Sequence, residues 1–457
     1  MSSRSRVMSA RRIIGFALAA LAVSTAGMLA GVEPFASWYY LFAWYATIAI
    51  ADAWGHLRDP NRPLLLARPA TLGSLLAWSA VFWFSFELWN LRLENWYYVN
   101  AADHRAVRWT GTALAFATVL PGLFTFVKLL AAYRVAEGVR TAPVRVTSGR
   151  IRILVLAGIA SAVLVLLWPR RFYPLVWGVG FFLIAPFNHR WVRRGLLVQI
   201  EEGRWALVLR LLVSGAICGF LWELFNFRAR TKWIYTVPGF EELKLFEMPV
   251  LGFLGFPPFA LECYEMYLAA VGLGLARDWE VVQGSGREGG AARRSIGRWK
   301  RAATGVVLAA ISFFTLALMD RSTIDSMTSR PADLPAVDPA LAERLDAIGV
   351  RDVAELRDLL ASPAAAARLG VSDSARTRLW DQVELALLAG IGSRQAARLV
   401  RIGVESVDGL ARIEAPELER RLRSAEPEPR PRPARLRVWI RAARTQARRS
   451  AGNLPPR

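Results

Sequence analysis

The chain has 457 residues, 54% of them hydrophobic, and several apolar runs reach the length of a membrane-spanning helix, which points to a multi-pass membrane protein rather than a soluble globular one. The formal net charge of +21 is nearly all arginine, because lysine occurs only at Lys128, Lys232, Lys244 and Lys300. Cys218 and Cys263 fall in apolar runs and the three histidines (His56, His104, His189) are dispersed, so neither a disulfide framework nor a metal or cofactor site is expected.

Spans are expected near 13–31, 38–54, 71–89, 108–131, 152–168, 173–188, 206–224, 250–276 and 303–319. The first follows Arg4, Arg6, Arg11 and Arg12 and has the flank of a signal peptide, but its counterpart in the second half argues that it is retained. Arginines gather at the N-terminus and in the 55–70, 133–152, 189–205 and 277–302 loops, which the positive-inside bias makes cytoplasmic. The 90–107 and 225–249 loops, rich in Trp, Tyr and acidic residues, then face the other side. Nine spans place the C-terminal region outside the cytoplasm, in a cell membrane.

One phrase occurs twice. Phe86-Glu87-Leu88-Trp89-Asn90-Leu91-Arg92 precedes Trp96, Tyr97 and Tyr98, and Trp222-Glu223-Leu224-Phe225-Asn226-Phe227-Arg228 precedes Trp233 and Tyr235. The likeness extends to residues 39–44 against 172–177, to His56 against His189, and to the runs containing Pro121 and Pro258. A unit of four spans returns the chain to its starting side, so the two units run parallel. This gives membrane repeats over 1–133 and 134–277, a basic loop and ninth span over 278–320, a soluble domain over 331–424 and a Pro/Arg-rich tail over 425–457. The fold class is an all-α polytopic bundle with a small all-α soluble domain.

Inside the eighth run, Pro257-Pro258 suits the first turn of a helix, so that helix is expected to start there and to carry Glu262 and Glu265 on one face. These two, with Glu87, Asn90, Glu223 and Asn226, are the expected lining of an outward-facing acidic pocket. Trp96, Tyr97, Tyr98, Trp233 and Tyr235 would form its rim, with Arg92 and Arg228 the nearest cations. Ionisable residues within spans usually face a cavity or a partner. Glu-Asn-Arg at a helix end also suits simple capping and anchoring among interfacial aromatics. Asp52, His56 and His189 are expected to bind headgroups or loops, and Lys128 and Arg210 to snorkel to the cytoplasmic ends.

The soluble region repeats too: 334–356 matches 388–410. Leu388-Ala389-Gly390-Ile391-Gly392-Ser393-Arg394-Gln395-Ala396 resembles the hairpin of helix-hairpin-helix domains. The resemblance implies a tight turn at Gly390 and Gly392 and amides at the next helix that can face a phosphate. In the first copy Val337 and Asp338 replace the glycines, and Asp338 takes the place a phosphate would occupy. Beyond a proline-rich linker, 434–449 sets Leu436, Trp439, Ile440 and Ala443 among arginines, as in a helix lying on an anionic membrane.

The functions expected are therefore binding or transport of a small or amphiphilic ligand, with membrane lipid, a protein partner of the tail or, less in keeping, nucleic acid as partners. The alternatives are an intramembrane enzyme using glutamate acid/base chemistry on an isoprenoid or other lipid, and a scaffold that holds the tail at the membrane.

Overall fold

The computed structural model describes residues 3–237, 243–280, 297–367, 369–425 and 432–451. They fall into two compact units, one from 1–95, 109–230 and 237–320, the other from 96–108, 231–236 and 321–457.

The first unit is an all-α membrane bundle. Its helices are α1 (Ser3–Leu29), α2 (Phe35–Arg58), α3 (Pro69–Leu93), α4 (Arg105–Phe116), α5 (Val119–Ala132), α6 (Ser148–Leu167), the short α7 (Pro169–Phe172), α8 (Val176–Phe187), α9 (Leu196–Glu201), α10 (Ala206–Arg228), α11 (Phe256–Gly272) and α12 (Arg298–Ser322). Among the described residues six helical stretches are long and apolar enough to cross a membrane: Met8–Leu29, Pro69–Leu93, Arg105–Ala132, Ser148–Leu167, Ala206–Arg228 and Trp299–Ser322. Helix α2 carries Asp52, His56 and Arg58, and α8 and α11 are shorter. Residues 281–296, which include Arg293 and Arg294 of the expected basic loop, lie outside the described residues.

The expected span at 108–131 is two helices. The ladder breaks between Phe116 and Val119, and Ser79 of α3 repairs it, donating to Phe116 O at 2.6 Å and accepting from Leu120 N at 3.0 Å. In hydrocarbon a broken helix persists where the freed backbone is satisfied again, and a serine side chain is one means of doing so. Helix α11 begins at the proline pair as expected but ends at Gly272, because Gly274 turns the chain at φ +71°. Residues 277–280 then form a strap. Arg68 donates to the carbonyls of Trp279 and Asp278, Arg194 pairs with Asp278 and Glu280, and Trp279 stacks on Phe124 at 4.5 Å.

Packing follows one pattern twice. Helix α1 packs on α2, α2 on α5 and α3 on α5; α6 packs on α8, α8 on α11 and α10 on α11. Helix α5 also meets α10, and α3 meets α11. Gly215 and Gly219 let α10 lie close to Phe256, because a Cβ at either position would overlap that residue. Large apolar side chains of α1, α6 and α12, including Phe16, Leu156 and Phe313, stay exposed, as suits contact with lipid.

In the second unit, β1 (Trp96–Val99) pairs antiparallel with β2 (Lys232–Tyr235), in the register Trp96 with Tyr235 and Tyr98 with Trp233. The other edge of β1 takes residues 323–328 in parallel: Tyr98 N donates to Thr323 O at 2.7 Å and Asp325 N to Tyr98 O at 2.9 Å. Helices α13 (Pro339–Ala347), α14 (Val353–Ala361), α15 (Pro363–Ala367), α16 (Asp373–Leu387), α17 (Gly392–Arg401), α18 (Val407–Arg412), α19 (Ala415–Ala425) and α20 (Pro433–Ala451) close a single apolar core. Asp338 caps α13 by accepting from Leu341 N at 2.7 Å, and Asp352 forms a capping box on α14.

Helix α20 corrects an expectation. Leu436, Trp439, Ile440 and Ala443, the face expected to lie on a membrane, are buried in this core. A helix of this amphipathic pattern buries its apolar stripe wherever a complementary surface is available, and here the neighbouring helices supply it. The domain therefore runs past 424 to include α20, while 426–431 of the expected linker lie outside the described residues.

Candidate acidic site and the C-terminal hairpin

The repeated phrase lies within the last turns of α3 and α10, not beyond them. Glu87, Asn90, Glu223 and Asn226 are all buried there. Glu87 Oε1 accepts from Trp83 Nε1 at 3.0 Å, one turn earlier on the same face. Asn90 also closes its helix: its Oδ1 accepts from Asn95 N at 2.9 Å, and Glu94 takes the left-handed conformation at φ 57°. Tyr40 is hydrogen-bonded to the Thr118 side chain.

Beside these groups stands an aromatic hub. Phe259, 2% exposed, has ring neighbours Trp83, Phe86, Trp177 and Trp222 at 5.9, 5.3, 5.6 and 5.9 Å. One turn along α11, Glu262 turns to α8, where Oε1 accepts from Gly180 N at 2.6 Å. A Cβ at Gly180 would overlap this carboxylate, so the glycine is what admits it to a backbone amide. Glu262 Oε2 is buried and meets no hydrogen-bond partner among the described residues.

Glu265 does something else. Its Oε1 accepts from Leu196 N at 2.6 Å and its Oε2 from Asn188 Nδ2 at 2.5 Å, so it fastens the segment between α8 and α9 at the arginine-rich end of the bundle. Both oxygens are committed, and the expectation that Glu265 lines an outward pocket is corrected accordingly. Arg92 and Arg228 are corrected too. Five residues past Glu87 and Glu223, they lie about 140° round the helix from them and so point away. Arg92 Nε donates to Leu166 O at 2.9 Å, and Arg228 is exposed with its guanidinium over Phe227.

The expected rim, Trp96, Tyr97, Tyr98, Trp233 and Tyr235, is the β1–β2 ribbon of the second unit, whereas the carboxylates belong to the first. His56 Nδ1 meets Arg62 O at 2.7 Å and His189 Nε2 meets Glu201 at 2.8 Å, so both tie loops. Lys128 reaches Asp52 and Pro63 O, and Arg210 reaches Val135 O. Among the described residues no cluster of three or more His, Cys, Asp or Glu is placed to hold a metal.

At the hairpin, Gly390 and Gly392 take φ +87° and +76°, the turn expected of them. Their phosphate-binding role is corrected, because the chain's own groups occupy the place. Ser393 N donates to Ser329 Oγ at 3.1 Å, and Ser393 Oγ donates to Asp333 Oδ2 at 2.7 Å. A carboxylate beside the start of α17 repels the anion that those amides would otherwise attract. Reasoning from sequence missed Gly180, Asn188 and Ser79, whose partners lie far along the chain. The only signal was a small or polar residue within or just after an apolar run.

A family model described as a domain of unknown function (DUF4332) matches residues 335–446, a span that takes in most of α20. No curated protein and no solved structure matches the chain.

Proposed function

We propose that the chain is a nine-span membrane protein in which two parallel four-helix repeats bind or move a small or amphiphilic ligand, coupled to a proton held by buried carboxylates. The single observation that carries this reading is Glu262. A carboxylate inside a bundle is costly unless both oxygens are served, and here one oxygen has the Gly180 amide while the other meets no donor among the described residues. A group left in that state suits a proton or a ligand donor that arrives and departs.

The repeat reading is supported by the pattern of helix pairs and by ring contacts at matching positions. Trp44 lies 5.5 Å from Trp222, and their counterparts Trp177 and Phe86 lie 5.4 Å apart. The topology, with the N-terminus cytoplasmic and the C-terminal domain outside, is supported by the second unit, which gathers strands from the 90–107 and 225–249 loops with residues 321–457.

The test uses proteoliposomes loaded with a pH-sensitive dye and given an external pH step, with tryptophan fluorescence of the hub followed in parallel. The wild type should show a proton-linked response that Glu262→Gln abolishes while keeping its fold, since the amide oxygen can still accept from Gly180 N. An equal response in Glu262→Gln would defeat the reading.

A further inference from the structure

We infer that the C-terminal domain is a clamp for the chain's own β-ribbon: its glycine hairpin and α20 grip strands β1 and β2, in place of a nucleic acid or a foreign protein.

The grip has three parts, all within the second unit. At the hairpin, Tyr97 of β1 abuts Gly390 so closely that a Cβ on the glycine would overlap its hydroxyl, and Gly390 O accepts from Trp439 Nε1 at 2.6 Å. A turn residue without a side chain is needed here twice over, for its positive φ and for this approach. Along α20, Arg435 lays its guanidinium over the Tyr97 ring at 4.8 Å while donating to Asp325 Oδ1 at 2.5 Å and Ser322 O at 2.7 Å. On the same helix Val438 closes a small apolar cluster with Tyr97, Val99 and Ile234. The third part is strand addition: residues 323–328 extend the ribbon, and Ala101 N donates to Ser326 O and Thr328 N to Ala101 O, both at 3.0 Å.

The seam between ribbon and hairpin is polar and filled. Asn100 N donates to Ser326 Oγ, and Ser329 and Asp333 take up the amide and hydroxyl of Ser393 at the start of α17. Arg330 adds an ion pair with Asp103 at 2.7 Å. The groups that a phosphate would need are thus the groups that fasten the linker; the apolar stripe of α20 that a membrane would need is buried in the domain core, and Arg435 and Val438 beside it seat the ribbon.

Strand β1 starts six residues after Asn90 and β2 six residues after Asn226. Fixing their register fixes the separation of the two strand starts, Trp96 and Lys232. This inference does not depend on a transported ligand.

Amide hydrogen exchange on the full chain in nanodiscs tests it. In the wild type Tyr98, Ala101, Asp325 and Thr328 should exchange slowly. Gly390→Val should speed them at least ten-fold, and Tyr97→Ser should do the same from the ribbon side without touching the domain core. Slow exchange at Leu385 and Leu399 serves as the check that α16 and α17 remain folded. Fast exchange of the ribbon in the wild type overturns the clamp. So does a fluorescent DNA duplex, or vesicles of anionic lipid, that bind the wild type at physiological salt and release ribbon protection. No change in ribbon exchange in Tyr97→Ser would count equally against it.

Discussion

Lys128 and Glu265 stand at matching positions, each seven residues past the proline of its helix, and with opposite charges they perform the same task. Lys128 Nζ donates to Pro63 O at 2.9 Å and pairs with Asp52, whose other oxygen accepts from Leu66 N. Glu265 accepts from Leu196 N and from Asn188. Each pins the loop that follows an earlier helix, α2 for Lys128 and α8 for Glu265.

Replacing Glu265 by Gln should destabilise the bundle. Both carboxylate oxygens accept from N–H groups, and an amide would set a donor against a donor at one of them. The expected loss is about 1–3 kcal/mol, the scale of one buried group left unsatisfied. Thermal unfolding in detergent reads it, and an unchanged midpoint would contradict the bonding described.

Ser79→Ala should weaken the junction of α4 and α5 by a similar amount, roughly 1–3 kcal/mol, since Phe116 O and Leu120 N both lose their partner. Local exchange at Leu120 should quicken before global unfolding. Equal protection in the two proteins would mean that the break is satisfied some other way.

The segment from α9 to Arg204 gives a pH dependence with a definite sign. The hydrogen bond from His189, then that from the Val146 amide, hold the Glu201 carboxyl below its ordinary 4.5. A lowered folded value adds stability that is present above pH 4.5 and is lost as the pH falls through that folded value. Between pH 6 and 3, roughly, the melting temperature of the wild type should fall more than that of Glu201→Gln. Parallel curves would show that this carboxyl carries no linkage.

The strap at 277–280 should open when its arginine is lost. Arg194→Gln removes the partner of Asp278 and Glu280, and burial already pushes the Glu280 carboxyl up, so Glu280 should then take a proton instead of a counter-ion. A Trp279→Cys probe, with Cys218 and Cys263 replaced by alanine, should react with a water-soluble maleimide several-fold faster in the Arg194→Gln background. Equal rates would place the hold of the strap on Arg68, whose acceptors are backbone carbonyls that the cysteine probe keeps.

Much of the bundle was legible in the chain because a span must be long, apolar and uncharged, and these are one-dimensional properties. The doubled phrase and the proline start of α11 were readable along the chain itself, whereas the choice between headgroup and loop for His56 and His189 was not. What each carboxylate does was not. Glu262 and Glu265 share a helix face and a composition, yet one has an oxygen to spare and the other has none, because Gly180, Asn188 and Leu196 come from distant segments that only packing brings near. Likewise the sequence showed a glycine hairpin and an amphipathic basic helix, both of which fit an external phosphate or membrane. Tertiary structure decided otherwise, because satisfying turn amides and an apolar stripe within the chain costs no association entropy and the ribbon was already at hand.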